Sequence, residues 1–208
     1  MDFQPGGIYH VYNQGNDRKP IFFGRDNYLF FIKKMRNHLT SHCDFLAWCL
    51  MPNHFHWLIR VHENYSVFKQ QKHGLDTQNF TPDVKPLNRS ISVILSSYTK
   101  AMNKAHGKSG SLFRSRTKSK QLNEEILKDD KYPLICLLYI HQNPLRAGLV
   151  NRMEDWEFSS YRDYSGYRQG SLCNIDMAKT LFDLPGSTEE FVNFSNQTIP
   201  EHYVKGII

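Results

Sequence analysis

The chain has 208 residues, enough for one compact domain with an elaboration, and does not require two full domains. Apolar residues make up 40% and charged residues 22%, which excludes a disordered or collagen-like chain. Lys and Arg outnumber Asp and Glu by 26 to 20, and the net charge is +6.

The longest apolar run, Leu134 to Ile140, is far short of the ~20 residues that span a bilayer. The opening MDFQPGGIYH lacks the basic start and apolar stretch of a signal peptide, so a cytoplasmic protein with no membrane partner is expected. Cys43, Cys49, Cys136 and Cys173 form no CxxC pair, which argues against a zinc knuckle or a redox pair. The basic excess is concentrated. Lys100, Lys104, Lys108, Arg114, Arg116, Lys118 and Lys120 fall in one stretch without a single acid. A single-sign stripe attracts polyanions, whereas a solubilising face usually mixes signs.

In chain order, Gly7 to Gln14 is rich in β-formers and reads as a strand. Asp26 to His42 reads as a helix capped by Asp26, with Leu29, Ile32, Met35, Arg36 (by its stem) and Leu39 on one side. Phe45 to Met51 and His54 to Val61 are two strands joined by the turn dipeptide Pro52-Asn53, which predicts an antiparallel hairpin. His62 to Asn88 has no period and reads as a long loop. Ser90 to Ala105 is helical, with Ile91, Ile94, Leu95, Tyr98 and Met102 aligned, and Leu112 to Leu122 returns as a basic strand. A last long helix from about Glu124 should stop near Asn143, because Pro144 disfavours helical geometry before it. Antiparallel pairing makes the class α+β.

The sharpest local feature is His54-Phe55-His56-Trp57. On a strand, the period of two puts both imidazoles on one face and both aromatic rings on the other. Two adjacent imidazoles make half of a divalent metal site, and the plainer alternative is two core histidines bonded to backbone. Tyr139 and Asn143, four apart on a helix, share a face and could set a nucleophile beside a third ligand. A core tyrosine followed by a capping Asn would look the same.

Taken together, YHVYNQGN near the start, the HFH strand after Met51-Pro52-Asn53, and Tyr139-Ile140-His141-Gln142-Asn143-Pro144-Leu145-Arg146-Ala147-Gly148 followed by Trp156 and Phe158-Ser159-Ser160-Tyr161 resemble the REP-associated tyrosine transposases. These are single-tyrosine transposases within the HUH endonucleases, and the resemblance runs from about residue 7 to residue 167. It implies a ferredoxin-like antiparallel sheet with helices packed on it. Residues 1–170 would form the nuclease domain, with a loop insertion at about 62–88, and 171–208 an accessory tail.

By the same resemblance, His54 and His56 hold Mg²⁺ or Mn²⁺ and Tyr139 is the nucleophile. Many relatives carry Gln four residues after the tyrosine. Asn143 stands there in this chain, one methylene shorter, and His10 and His141 are nearby alternatives as third ligand. The implied substrate is single-stranded, hairpin-bearing DNA, cut and rejoined through a 5′-phosphotyrosine by a monomer or a homodimer. The seven basic residues would follow the phosphates, and Phe113 or Tyr98 would stack a base.

Tyr9, Tyr12, Tyr98, Tyr132 and Tyr161 also lie near the motifs. Two rival readings remain open at this level: a metal-dependent hydrolase using water, and a non-catalytic nucleic-acid binder. The first predicts that Tyr139→Phe stays active, the second that binding survives loss of both histidines.

Overall fold

A computed structural model describes residues 1–65, 86–123 and 131–207. Its first half runs β1 (Ile8–Gln14), α1 (Arg25–Leu39), β2 (Cys43–Met51), β3 (His54–Val61), α2 (Pro86–His106) and β4 (Lys118–Gln121). The four strands form one sheet in the order β2-β3-β1-β4, every neighbour antiparallel, which is the ferredoxin-like arrangement. Helix α3 (Tyr132–Arg146) follows, then α4 (Tyr161–Tyr164), α5 (Ile175–Phe182), α6 (Thr188–Ser195) and α7 (Glu201–Ile207).

Side-chain alternation divides the sheet into two buried faces. Phe55, Trp57, Ile59 and Val61 of β3 join Tyr9 and Val11 of β1 under α1 and α2. Leu58 of β3, Ile8 of β1 and Cys49 and Met51 of β2 face the other way and pack under α3. In β2 the alternation is reset by an irregularity between Phe45 and Ala47, so Leu46 and Ala47 both lie on the α3 side. Both faces are covered, which is why β2 is apolar apart from Asp44, whereas β3 adds His54, His56 and Arg60 to its apolar residues.

The hairpin at Pro52-Asn53 forms as expected, with Met51 paired to His54. Helix α1 differs in the face it buries. Tyr28, Phe31, Met35 and Leu39 are its buried stripe, whereas Leu29 is exposed and Arg36 reaches the carbonyl of Ser171. Its N-cap is Gly24, so Asp26 lies in the first turn, where its charge suits the helix dipole. Helix α2 starts at Pro86, so the last three residues of the expected 62–88 loop are helical. Residues 66–85 of that loop, and 124–130 at the expected start of the last helix, lie outside the described residues.

The basic strand is shorter than its sequence suggests. Residues 114–117 are held off the ladder by the side chain of Asn13, whose Nδ2 donates to the Arg114 carbonyl and to Thr117 Oγ1. Helix α3 runs through Pro144 to Arg146. A proline in the last turn forfeits one backbone bond, and the buried face from Cys136 to Asn143 keeps the helix intact. Past α3, residues of α5, α6 and the segment around Ile199 cover its outer side, where Gln142 Nε2 donates to the carbonyls of Ser195 and Gln197. Among the described residues no helix is long and apolar enough to cross a membrane.

Candidate active site

The register fixes the site. Pairing of β1 with β3 sets Tyr12 opposite His56 and Gln14 opposite His54, while β2 sets Cys49 against His56. His10, Tyr12, His54 and His56 therefore share the face that α3 covers. Tyr139 comes down from α3 with its ring edge-on to His56, centroids 5.8 Å apart and planes at 88°. One turn on, Asn143 interacts with both His54 and Tyr139. Its Nδ2 is buried without a partner among the described residues.

His54, His56, Tyr139 and Asn143 line one cavity of about 300 Å³, together with Arg114, Arg116 and Lys118. Tyr12, Asn13 and Gln14 of β1 complete its wall. These three follow His10 within the YHVYNQGN segment, and once β1 is paired with β3 the period of two puts Tyr12 beside His56.

Each histidine has one ring nitrogen engaged. Asn53 Nδ2 donates to the Arg18 carbonyl, so its Oδ1 is the atom 2.6 Å from His54 Nδ1. An amide oxygen only accepts, so His54 Nδ1 carries the proton and Nε2 keeps a lone pair. His56 Nδ1 lies 2.8 Å from His10 Nε2. Burial pushes His54 down to about 4, partly opposed by Asn143, which favours the protonated ring. Burial, then His10 and His54, holds His56 well below the usual imidazole range. Neutral imidazoles are the form that ligates metals. Burial raises the Tyr139 phenol, against the pull of Arg146.

The remaining candidates separate clearly. Nε2 of His141 donates to Ser160 Oγ at 2.8 Å, on the side of α3 away from the cavity, so His141 is no ligand here. Tyr98 and Phe113 are core residues between the sheet and α2 rather than stacking platforms. Tyr9 bonds to Gln121 and Tyr132 to Lys120, whereas Tyr161 is buried away from the cavity. Of the basic residues outside the cavity, Lys100 lines an adjoining groove of about 790 Å³ that shares Asn13, Arg114 and Arg116 with it. Lys108 lies over the ring of Phe23, Lys104 is exposed on α2, and the Lys120 ammonium binds Tyr132 Oη at 2.8 Å. No group of three His, Cys, Asp or Glu suited to a metal occurs among the described residues. The side chains that His54, His56 and Asn143 bring to the cavity are two imidazoles and an amide.

No family model matches the chain. A Haemophilus influenzae protein named as a REP-associated tyrosine transposase is 25% identical over 162 residues, covering 77% of this chain and 82% of that protein. Among solved structures, a REP-associated tyrosine transposase bound to a REP hairpin matches with a TM-score of 0.54 and 17% identity, covering 85% of this chain and 87% of that one. The chain thus resembles the REP-associated tyrosine transposases in sequence and shares the HUH-type fold of one of them.

Proposed function

We propose that this chain cleaves and rejoins single-stranded, hairpin-bearing DNA through Tyr139, with a divalent metal held by His54, His56 and Asn143. The observation that carries the reading is the meeting of Tyr139 with His56 and Asn143 in a cavity bounded by Arg114, Arg116 and Lys118. The relative named for transposition and the fold neighbour bound to a REP hairpin support the substrate class.

The residues fit a metal. Two neutral imidazoles with Nδ1 engaged and an amide whose nitrogen lacks a partner leave two nitrogens and an oxygen for Mg²⁺ or Mn²⁺. When bound, such an ion polarises the scissile phosphate and offsets its charge. The protein's own residues supply the rest. Arg114, Arg116 and Lys118 draw the phosphates to the cavity mouth. Helix α3 holds the Tyr139 hydroxyl in place, so attack needs little further ordering.

The phenol oxygen bonds to phosphorus as the bond from phosphorus to the 3′ oxygen breaks. The phenol loses its proton and the departing 3′ oxygen gains one. The product is a 5′-phosphotyrosine, whose energy is close to that of the phosphodiester, so another 3′-hydroxyl can reverse the step on a new end. The cell compartment expected is the cytoplasm, and a monomer is sufficient because Tyr139 and both histidines come from one chain.

The test is incubation of labelled hairpin-bearing single strands with Mn²⁺ or Mg²⁺, followed by a denaturing gel. A covalent adduct is expected with the native chain, and mass spectrometry should place it on Tyr139. Tyr139→Phe keeps the ring and its packing, so it should bind the hairpin yet form no adduct and make no cut. Cleavage by Tyr139→Phe at the native rate would return the reading to water-mediated hydrolysis.

A further inference from the structure

We propose that His10 is a positioning residue for His56: by accepting a hydrogen bond from His56 Nδ1–H it selects the tautomer that leaves Nε2 free for a divalent cation. This rests on the metal reading of His54 and His56 given above.

A neutral imidazole has one N–H and one lone pair. Across the 2.8 Å between His10 Nε2 and His56 Nδ1, one proton can be arranged in two ways. If His10 donates, His56 must carry its own proton on Nε2, where it blocks a ligand bond. If His56 donates, its Nε2 lone pair is open. His54 has no such choice, because Asn53 Oδ1 can only accept. One histidine of the pair is thus set by an obligate acceptor and the other by a partner able to play either part.

His10 is placed for this and little else. It is 1% exposed, and its ring lies beside those of Tyr12 and His56, with centroids 4.8 and 5.0 Å away and planes within 20° of both. Its Nδ1 is buried without a partner among the described residues, so the bond to His56 is the polar contact that orients it. A buried, half-satisfied imidazole is costly, and a phenyl ring would fill the same space without that cost. The bond to a metal ligand is what the imidazole adds. Such outer partners fix ring orientation and raise ligand basicity.

The experiment titrates Mn²⁺ into the full chain without DNA, with free Mn²⁺ read by electron paramagnetic resonance. His10→Phe fills the position but cannot accept, and it should weaken Mn²⁺ binding by about 10- to 100-fold. His10→Gln presents an amide oxygen near the place of Nε2, able only to accept, and should return affinity close to the native value. A packing role alone would not distinguish the two variants in this way. Should His10→Phe fail to fold, ¹⁵N NMR of the native chain with saturating Mg²⁺ decides, with the His56 proton expected on Nδ1.

Native affinity in His10→Phe, no rescue by His10→Gln, or a His56 proton on Nε2 with Mg²⁺ bound would each overturn the proposal. Mn²⁺ binding that is absent from the native chain, or unchanged in His56→Ala, would instead overturn the metal reading and take this inference with it.

Discussion

His141 is buried and His54 half-buried on the same half of the molecule, and their partners give them opposite uses. Ser160 Oγ donates to the Trp48 carbonyl, so it must accept from His141, whose Nε2 therefore holds the proton. The ring is packed edge-on against Tyr161, Tyr164 and Phe191, and burial pushes it down to about 3. In the unfolded chain the same ring titrates near 6.5. Below that pH the unfolded state takes up a proton that the native state refuses. Its contribution to stability is thus full above about 6.5 and is lost as pH falls toward about 3. The loss should reach about 1.4 kcal/mol per pH unit for one such histidine. Urea midpoints measured from pH ~7.5 down to ~5, a range that spans the unfolded value, should fall less steeply in His141→Gln, which keeps a donor for Ser160 but cannot titrate. An equally steep fall in the variant would assign the pH dependence to other groups. Helix arithmetic alone separates His141 from the site, since two residues from Tyr139 is more than half a turn around. The Asn53 and His10 bonds that set His54 and His56 were not legible, because they depend on the turn and strand register.

Helix α3 shows what an element adds to its residues. Its end is set by Gly148 rather than by Pro144. Leu149 N–H donates to the Pro144 carbonyl and Gly148 N–H to that of Leu145, with Gly148 at φ +67°. That end turns the chain away just past Asn143 and keeps the site residues inside regular helix. A Cβ at Gly148 meets nothing within 4 Å, so the penalty of Gly148→Ala is backbone strain alone. It should destabilise by about 1 kcal/mol. Thermal melts would read this, with the Tyr139 adduct still formed; no loss would mean that the turn relaxes freely. The hairpin was legible in the sequence because Pro52-Asn53 punctuates two strands. The shift between Phe45 and Ala47 was not, because an extra apolar residue in an apolar strand leaves no mark in composition. Similarly, Leu29 and Tyr28 are both apolar enough to face the core, and packing against Phe22 and Phe158 selected Tyr28.

At the scale of the whole molecule, the sheet separates two tasks. One face packs α1 and α2 into an aromatic core, and the other carries the histidines under α3, with the basic segment turning over the open edge. The seven basic residues are equal in sequence and unequal in place. Arg114, Arg116 and Lys118 line the cavity, held there because Asn13 ties the Arg114 and Thr117 positions to β1. Lys120, two residues on, is turned inward to Tyr132, and Lys104 stands exposed on α2. If binding depends on phosphates led to this cavity, affinity should respond to position and not merely to net charge. Each phosphate of a single strand that the protein no longer neutralises lowers the slope of log affinity against log salt by ~0.7. Changing Arg114, Arg116 and Lys118 to Gln should therefore reduce the slope by ~2. Changing Lys104 and Lys120 should leave it nearly unaltered. Fluorescence anisotropy of a labelled hairpin strand across a salt series measures both. Slope losses in simple proportion to the number of charges removed would mean that the chain attracts DNA by its overall field, and that the cavity edge has no special part in leading the strand to Tyr139.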